Sequence, residues 1–133
     1  MRQSIKTVLF VEDDAINRKL VRVVLGDKKR YRILEAASAG EALEQLGSMK
    51  PDLLLLDIRL ENGSGLEVIS AVRSDRSFDD VPAIAITAEA MKNDEKRFLA
   101  AGFDAYLSKP VDIRRLQEVV ARFTTEGRKA THV

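Results

Sequence analysis

The sequence predicts a doubly wound α/β domain, one parallel sheet with helices on both faces. Five short apolar runs alternate strictly with segments of helical period. The run Leu53-Leu54-Leu55-Leu56 is apolar at every position, as a strand covered on both faces must be. Residues capable of chemistry follow these runs, at the strand ends where doubly wound sheets bind ligands.

The first strand covers residues 7–11 and stops at Glu12-Asp13-Asp14. Ile16, Leu20, Val23 and Val24 then share one helical stripe, with Arg18, Lys19 and Arg22 opposite, so that stripe reads as the face turned to the sheet. A second strand is expected over 31–34 and a helix over 36–46, with Ser38 as N-cap and Glu41 completing a capping box. Pro51 bars further helix. The leucine run that follows is short enough, between Pro51-Asp52 and Asp57, to be a buried strand rather than a buried helix. Asn62-Gly63-Ser64-Gly65 is a turn, leading into a helix that carries Leu66, Ile69 and Val72. The fourth strand is 83–86, entered through Pro82, and a helix over about 91–100 ends at Gly102. The fifth strand is 103–107. The last helix lines up Ile113, Leu116, Val119, Val120 and Phe123.

At 133 residues the chain fits one domain, expected over 1–124, with a polar and disordered tail over 125–133. His132 in that tail and Lys28-Lys29-Arg30 are given no function. Lys and Arg number 22 against 21 Asp and Glu, a net charge of +1, which gives no electrostatic reason to expect nucleic acid or a membrane surface as partner. The chain has no cysteine, hence no disulfide framework or thiolate metal site. Residues 1–7 are too polar and short for a signal peptide, and no apolar run approaches membrane-spanning length. A cytoplasmic protein is expected.

In strand order 2-1-3-4-5, the third strand is central. Its end at Asp57 is then flanked by Glu12-Asp13-Asp14, by Thr87 after strand four, and by Ser108-Lys109-Pro110 after strand five. Taken singly, each has an ordinary explanation: Asp14 caps the first helix, Asp57 starts a turn, Thr87 is a strand-end β-former and Lys109 a surface lysine. Convergence at one edge makes the set chemical. Two carboxylates ~4 Å apart repel by roughly 4 kcal/mol at an effective dielectric near 20, so such a cluster needs protons, a lysine or a cation. Hard oxygen ligands with open positions suit Mg²⁺, which keeps waters and accepts phosphate oxygens. With Lys109 opposite, the pocket offers the charge stabilisation that phosphoryl transfer requires, and a carboxylate there can itself be the nucleophile. Thr87 could then donate a hydrogen bond to a phosphoryl oxygen.

Four segments in this order, Val8-Leu9-Phe10-Val11-Glu12-Asp13-Asp14, Leu56-Asp57-Ile58-Arg59-Leu60, Ile86-Thr87-Ala88 and Tyr106-Leu107-Ser108-Lys109-Pro110, resemble the receiver domain of bacterial two-component response regulators, whose flavodoxin-like fold is typified by chemotaxis regulators. The likeness runs over about 6–123. It implies that Asp57 accepts a phosphoryl group from a histidine kinase or histidine phosphotransferase. It implies that Asp13 holds Mg²⁺ directly, Glu12 through water, and the Arg59 carbonyl with Asp57 as further ligands. Lys109 would pair with the phosphate, its bond to Pro110 cis. Thr87 and Tyr106 would be a coupled switch pair, and Arg59 and Glu89 would tune phosphate lifetime, their charges pairing across the pocket mouth. Two departures stand out: Glu12 where many relatives have aspartate, and Glu61 where proline is common.

The resemblance implies a signalling switch that promotes its own phosphorylation and dephosphorylation rather than a conventional enzyme. Its downstream protein target would dock on the face of helix four, strand five and helix five. A stand-alone receiver is expected, with a weaker likeness to single-domain regulators of cell-cycle kinases. Two alternatives stay open, an aspartyl-phosphate phosphatase and a phosphorylation-independent scaffold. The first usually wants an aspartate where Arg59 stands. Intact Asp57, Thr87 and Lys109 weigh against the second. A nucleotide-binding domain is disfavoured, since no Gly-rich loop follows strand one.

Overall fold

Four leucines and an aspartate, buried without a break, make the strand Leu53–Asp57 the centre of the molecule. In the computed structural model, which describes residues 5–26, 30–88 and 94–129, the chain runs β1 (Lys6–Val11), α1 (Ala15–Gly26), β2 (Tyr31–Ala36), α2 (Ala39–Leu46), β3 (Leu53–Asp57), α3 (Gly65–Arg73), β4 (Ala83–Thr87), α4 (Asp94–Ala101), β5 (Ala105–Ser108) and α5 (Ile113–Glu126). The strands form one parallel sheet in the order β2-β1-β3-β4-β5. Its register pairs Val11 with Leu56, Asp57 with Ile86, and Thr87 with Ser108, so the functional strand ends lie level along one edge.

Alternation along the strands divides the core in two. Leu9, Val11, Leu54, Leu56 and Ala85 face Val68, Val72 and Phe98 of α3 and α4. Val8, Phe10, Leu53, Leu55 and Ile86 face Val21, Leu25, Leu116, Val120 and Phe123 of α1 and α5. Every residue of β3 is therefore buried, whichever face it joins, which is why its sequence shows no alternation.

Several expectations are corrected. The stripe of α1 read as inward is largely outward: Ile16, Leu20 and Val23 are 78%, 45% and 59% exposed, while Val21 and Leu25 are buried. The helix carries apolar residues on two stripes, and the one that meets the α5 side of the core is the one that packs. Ala36 ends β2, and α2 begins only at Ala39, after the Ser38 cap. The Ser38 hydroxyl accepts from the Glu41 N–H, and the Glu41 carboxylate accepts from the Ala37 N–H. Phe103 lies outside β5 as a buried core residue, its N–H bonded to the Phe98 carbonyl of α4. At the other end of the chain, α5 runs to Glu126 and a 3₁₀ turn follows over Gly127–Lys129, so this part of the expected tail is helical. Residues 91–93 and His132 lie outside the described residues.

Candidate functional site

Four strand ends build the pocket. The Glu12 N–H bonds the Ala36 carbonyl, which continues the β1–β2 ladder by one step and points the Glu12 side chain inward, where the residue is 1% exposed. Asp57, 3% exposed, ends β3. The N–H of Lys109 donates to the Thr87 carbonyl at 2.8 Å, tying the end of β5 to the end of β4. Thr87 is buried, and the Lys109–Pro110 bond is cis.

Lys109 is the hub. Its Nζ donates to Asp57 Oδ2 at 2.6 Å and to Glu12 Oε1 at 3.0 Å. Asn17 Nδ2, from the first turns of α1, donates to the same Glu12 oxygen at 3.0 Å, and Arg18 Nη1 donates to the Glu12 carbonyl at 2.8 Å. Asp57 Oδ1 accepts from the Arg59 N–H at 3.0 Å, which folds the chain back at the end of β3. The fold-back is seated on Gly65, where a Cβ would stand 2.4 Å from the Asp57 carbonyl oxygen. Asp13 Oδ2 accepts from the Glu61 N–H at 2.8 Å, so Asp13 stands at the mouth, joined to the loop after β3. Asp14 caps α1 through the Ile16 N–H.

The balance of charge is the chemical point. Burial raises the Glu12 carboxyl above its ordinary value, and the neighbouring Asp57 carboxylate raises it further, while Lys109 pulls it back only in part. Burial draws the Lys109 ammonium down, but its bonds to Asp57 and Glu12 outweigh that and hold it above the ordinary lysine value. One lysine thus serves two buried acids. Glu12 Oε2 is buried and, among the described residues, has no hydrogen-bond partner. One carboxylate oxygen from each of Glu12, Asp13 and Asp57 lies within 4.8 Å of the others. A clustered, oxygen-only donor set with an orphaned buried oxygen fits a hard divalent cation such as Mg²⁺.

The structure therefore brings together Glu12, Asp13, Asp57, Thr87 and Lys109. Arg59 adjoins Asp57 through its backbone, which also bridges to Ser64. Tyr106 is half-buried, its ring 6.2 Å from that of Phe98. Glu89 lies outside the described residues. Asn17 and Arg18 escaped the sequence reading. Asn17 is the polar residue of α1 nearest the strand end, and Arg18, assigned to a solvent stripe, instead holds the Glu12 backbone and pairs with Glu35.

Comparison with known proteins agrees with this geometry. The family model described as "Response regulator receiver domain" matches residues 8–121. The chain is 39% identical over 118 residues to the polar-differentiation response regulator DivK of Brucella ovis, an alignment spanning 89% of this chain and 95% of that one. Among solved structures it resembles a receiver domain protein (CheY-like) from Methanospirillum hungatei, 29% identical, TM-score 0.81, covering 95% of this chain and 98% of that one. It also resembles the chemotaxis protein CheY4 of Vibrio cholerae, 26% identical, TM-score 0.83, covering 90% and 98%. The chain belongs to the response-regulator receiver domain family.

Proposed function

We propose that this receiver domain is a phosphorylation-dependent switch whose acceptor is Asp57. The observation that carries the reading is the bond from Lys109 Nζ to Asp57 Oδ2, beside a Glu12 carboxylate whose buried Oε2 has no partner among the described residues. An Asp57 oxygen attacks the phosphorus of a phosphohistidine on a kinase or phosphotransferase. The P–N bond breaks, and the imidazole leaves with its electron pair and takes a proton from solvent. Bound Mg²⁺, held by Asp13, Asp57, the Arg59 carbonyl and, through water, Glu12, would supply the neutralisation that brings anionic phosphate to an acidic pocket. Lys109 is already oriented to follow the charge from carboxylate to phosphoryl oxygen. Thr87 donates to that oxygen, Tyr106 turns inward with it, and Arg59 and Glu89 set how long the phosphate lasts.

The donor approaches over α1. Ile16 and Leu20 are exposed beside the pocket, and a cavity of about 440 Å³ between α1 and the segment after β5 is lined by Phe10, Leu20, Ile86 and Val111 and runs to Lys109. The downstream protein target docks on the α4-β5-α5 face, where Glu95, Tyr106, Pro110 and Arg115 line a groove. The absence of cysteine fits a cytoplasmic setting. Incubation with phosphoramidate and Mg²⁺, followed by intact mass measurement, tests the core of this reading. One phosphoryl group is expected on the parent chain and none on Asp57→Asn; equal labelling of both would overturn it.

A further inference from the structure

A second charged cluster lies at the opposite edge of the sheet, where the strands begin. Arg73, the last residue of α3, donates Nε to the Gly102 carbonyl at 3.0 Å and Nη1 to the Phe78 carbonyl at 3.1 Å. Its Nη2 donates to the Val81 carbonyl at 2.8 Å and to Asp104 Oδ2 at 3.2 Å. The same Asp104 oxygen accepts from the Ala83 N–H, and Asp104 Oδ1 accepts from Arg128 Nε at 2.9 Å. Arg128 Nη1 reaches the Asp79 carbonyl at 3.0 Å.

Arg128 arrives there because the chain reverses at Gly127, whose φ of 68° and ψ of −155° belong to a region open essentially to glycine. No heavy atom lies within 4 Å of a Cβ built at this position, so the backbone conformation, not crowding, calls for glycine. The residue gripped is Asp104, in the joint between α4 and β5. On its inner side the same joint carries Phe103, whose ring packs edge-on to Phe98 at 6.1 Å, and Phe98 in turn meets Tyr106. The joint is thus held from outside by two arginines and from inside by three rings. The two arginines differ. Arg73 is fixed by three backbone carbonyls besides Asp104, whereas Arg128 makes two contacts from a side chain 36% exposed.

We propose that the Gly127–Arg128 turn is a clasp that holds the α4–β5 joint and thereby sets how readily α4 and Tyr106 can move. Its contacts are made in the arrangement in which Asp57 is bonded to Lys109, so they favour that arrangement over any other in which the joint shifts. Loosening the clasp lowers the cost of the shift, and by linkage a ligand of the Asp57 pocket that demands it binds more tightly.

Amide hydrogen exchange on the full chain tests the clasp without reference to phosphorylation. In Arg128→Ala and Gly127→Ala, the Asp104 amide, bonded to the Ala83 carbonyl, and the α4 amides are expected to exchange about tenfold faster, while those of Leu9 and Leu54 keep the parent rate. Unchanged exchange at Asp104, or an equal acceleration at Leu9 and Leu54, overturns the clasp. A second arm rests on the proposed acceptor reading: beryllofluoride with Mg²⁺ should bind Arg128→Ala about threefold more tightly than the parent. Faster exchange with unchanged affinity refutes the link to the pocket. A parent chain that does not bind beryllofluoride strikes the acceptor reading instead, and exchange still decides the clasp.

Discussion

The two edges of the sheet hold charge clusters of opposite construction. At the edge where strands end, two buried acids share one lysine, a third acid stands at the mouth, and a buried oxygen is left over. At the edge where strands begin, two arginines share one aspartate, and surplus donors go to backbone carbonyls. The second cluster is complete as folded, while the first still has capacity for a cation. Burial of charge is common to both, so burial does not mark a reactive site; an unmet demand for a counter-charge does.

The largest effect expected is at the complete cluster. Arg73→Ala leaves the nearly buried Asp104 carboxylate with the partly exposed Arg128 as its remaining cationic partner among the described residues and should lower unfolding free energy by about 3 kcal/mol in urea titration. A loss no larger than that of an exposed pair would erase the contrast. At the incomplete cluster, Asp13→Ala should weaken Mg²⁺ affinity at least tenfold by titration while leaving stability near that of the parent. Asp14→Ala should do the reverse, keeping Mg²⁺ affinity and losing about 1 kcal/mol with the cap of α1. Glu12→Gln should stabilise the metal-free chain by about 1 kcal/mol while weakening Mg²⁺ binding, since a neutral amide removes one of three clustered carboxylate charges. The smallest effect is in pH. The folded-state value of Glu12 lies above its unfolded value, so between the two the native chain keeps a proton that the unfolded chain has lost. Stability contributed by Glu12 therefore falls as pH rises through that interval. In metal-free buffer the parent should gain on Glu12→Gln as pH is lowered from neutral toward the ordinary carboxylate value, and Mg²⁺ affinity should fall as the proton competes for the site.

What the sequence could reveal follows from how each cluster is made. The acidic pocket was legible because its residues sit at the ends of recognisable strands, and topology alone brings strand ends together. The Arg73–Asp104–Arg128 cluster was not, because its members lie in loops and helix ends up to 55 positions apart, with no periodic pattern linking them. Helix α1 shows a different limit. Ile16, Leu20 and Val23 keep the same helical spacing that a core stripe would, and only contact with the α5 layer selects Val21 and Leu25 instead. Hydropathy registers that a face is apolar, not what lies against it. Asn17 was overlooked because its role depends on a buried glutamate five residues back, a relation visible only once Glu12 points inward.

The seat of Asp57 on Gly65 leaves the α3 flank of β3 without slack. With the first turn of α3 packed against the Asp57 carbonyl, a single methyl group at Gly65 would already collide. A disturbance that begins at the Asp57 carboxylate is then expected to spare α3 and to show across β4 in α4, as a wedge driven beside a wall opens the free edge; amide shifts on adding beryllofluoride and Mg²⁺ check this.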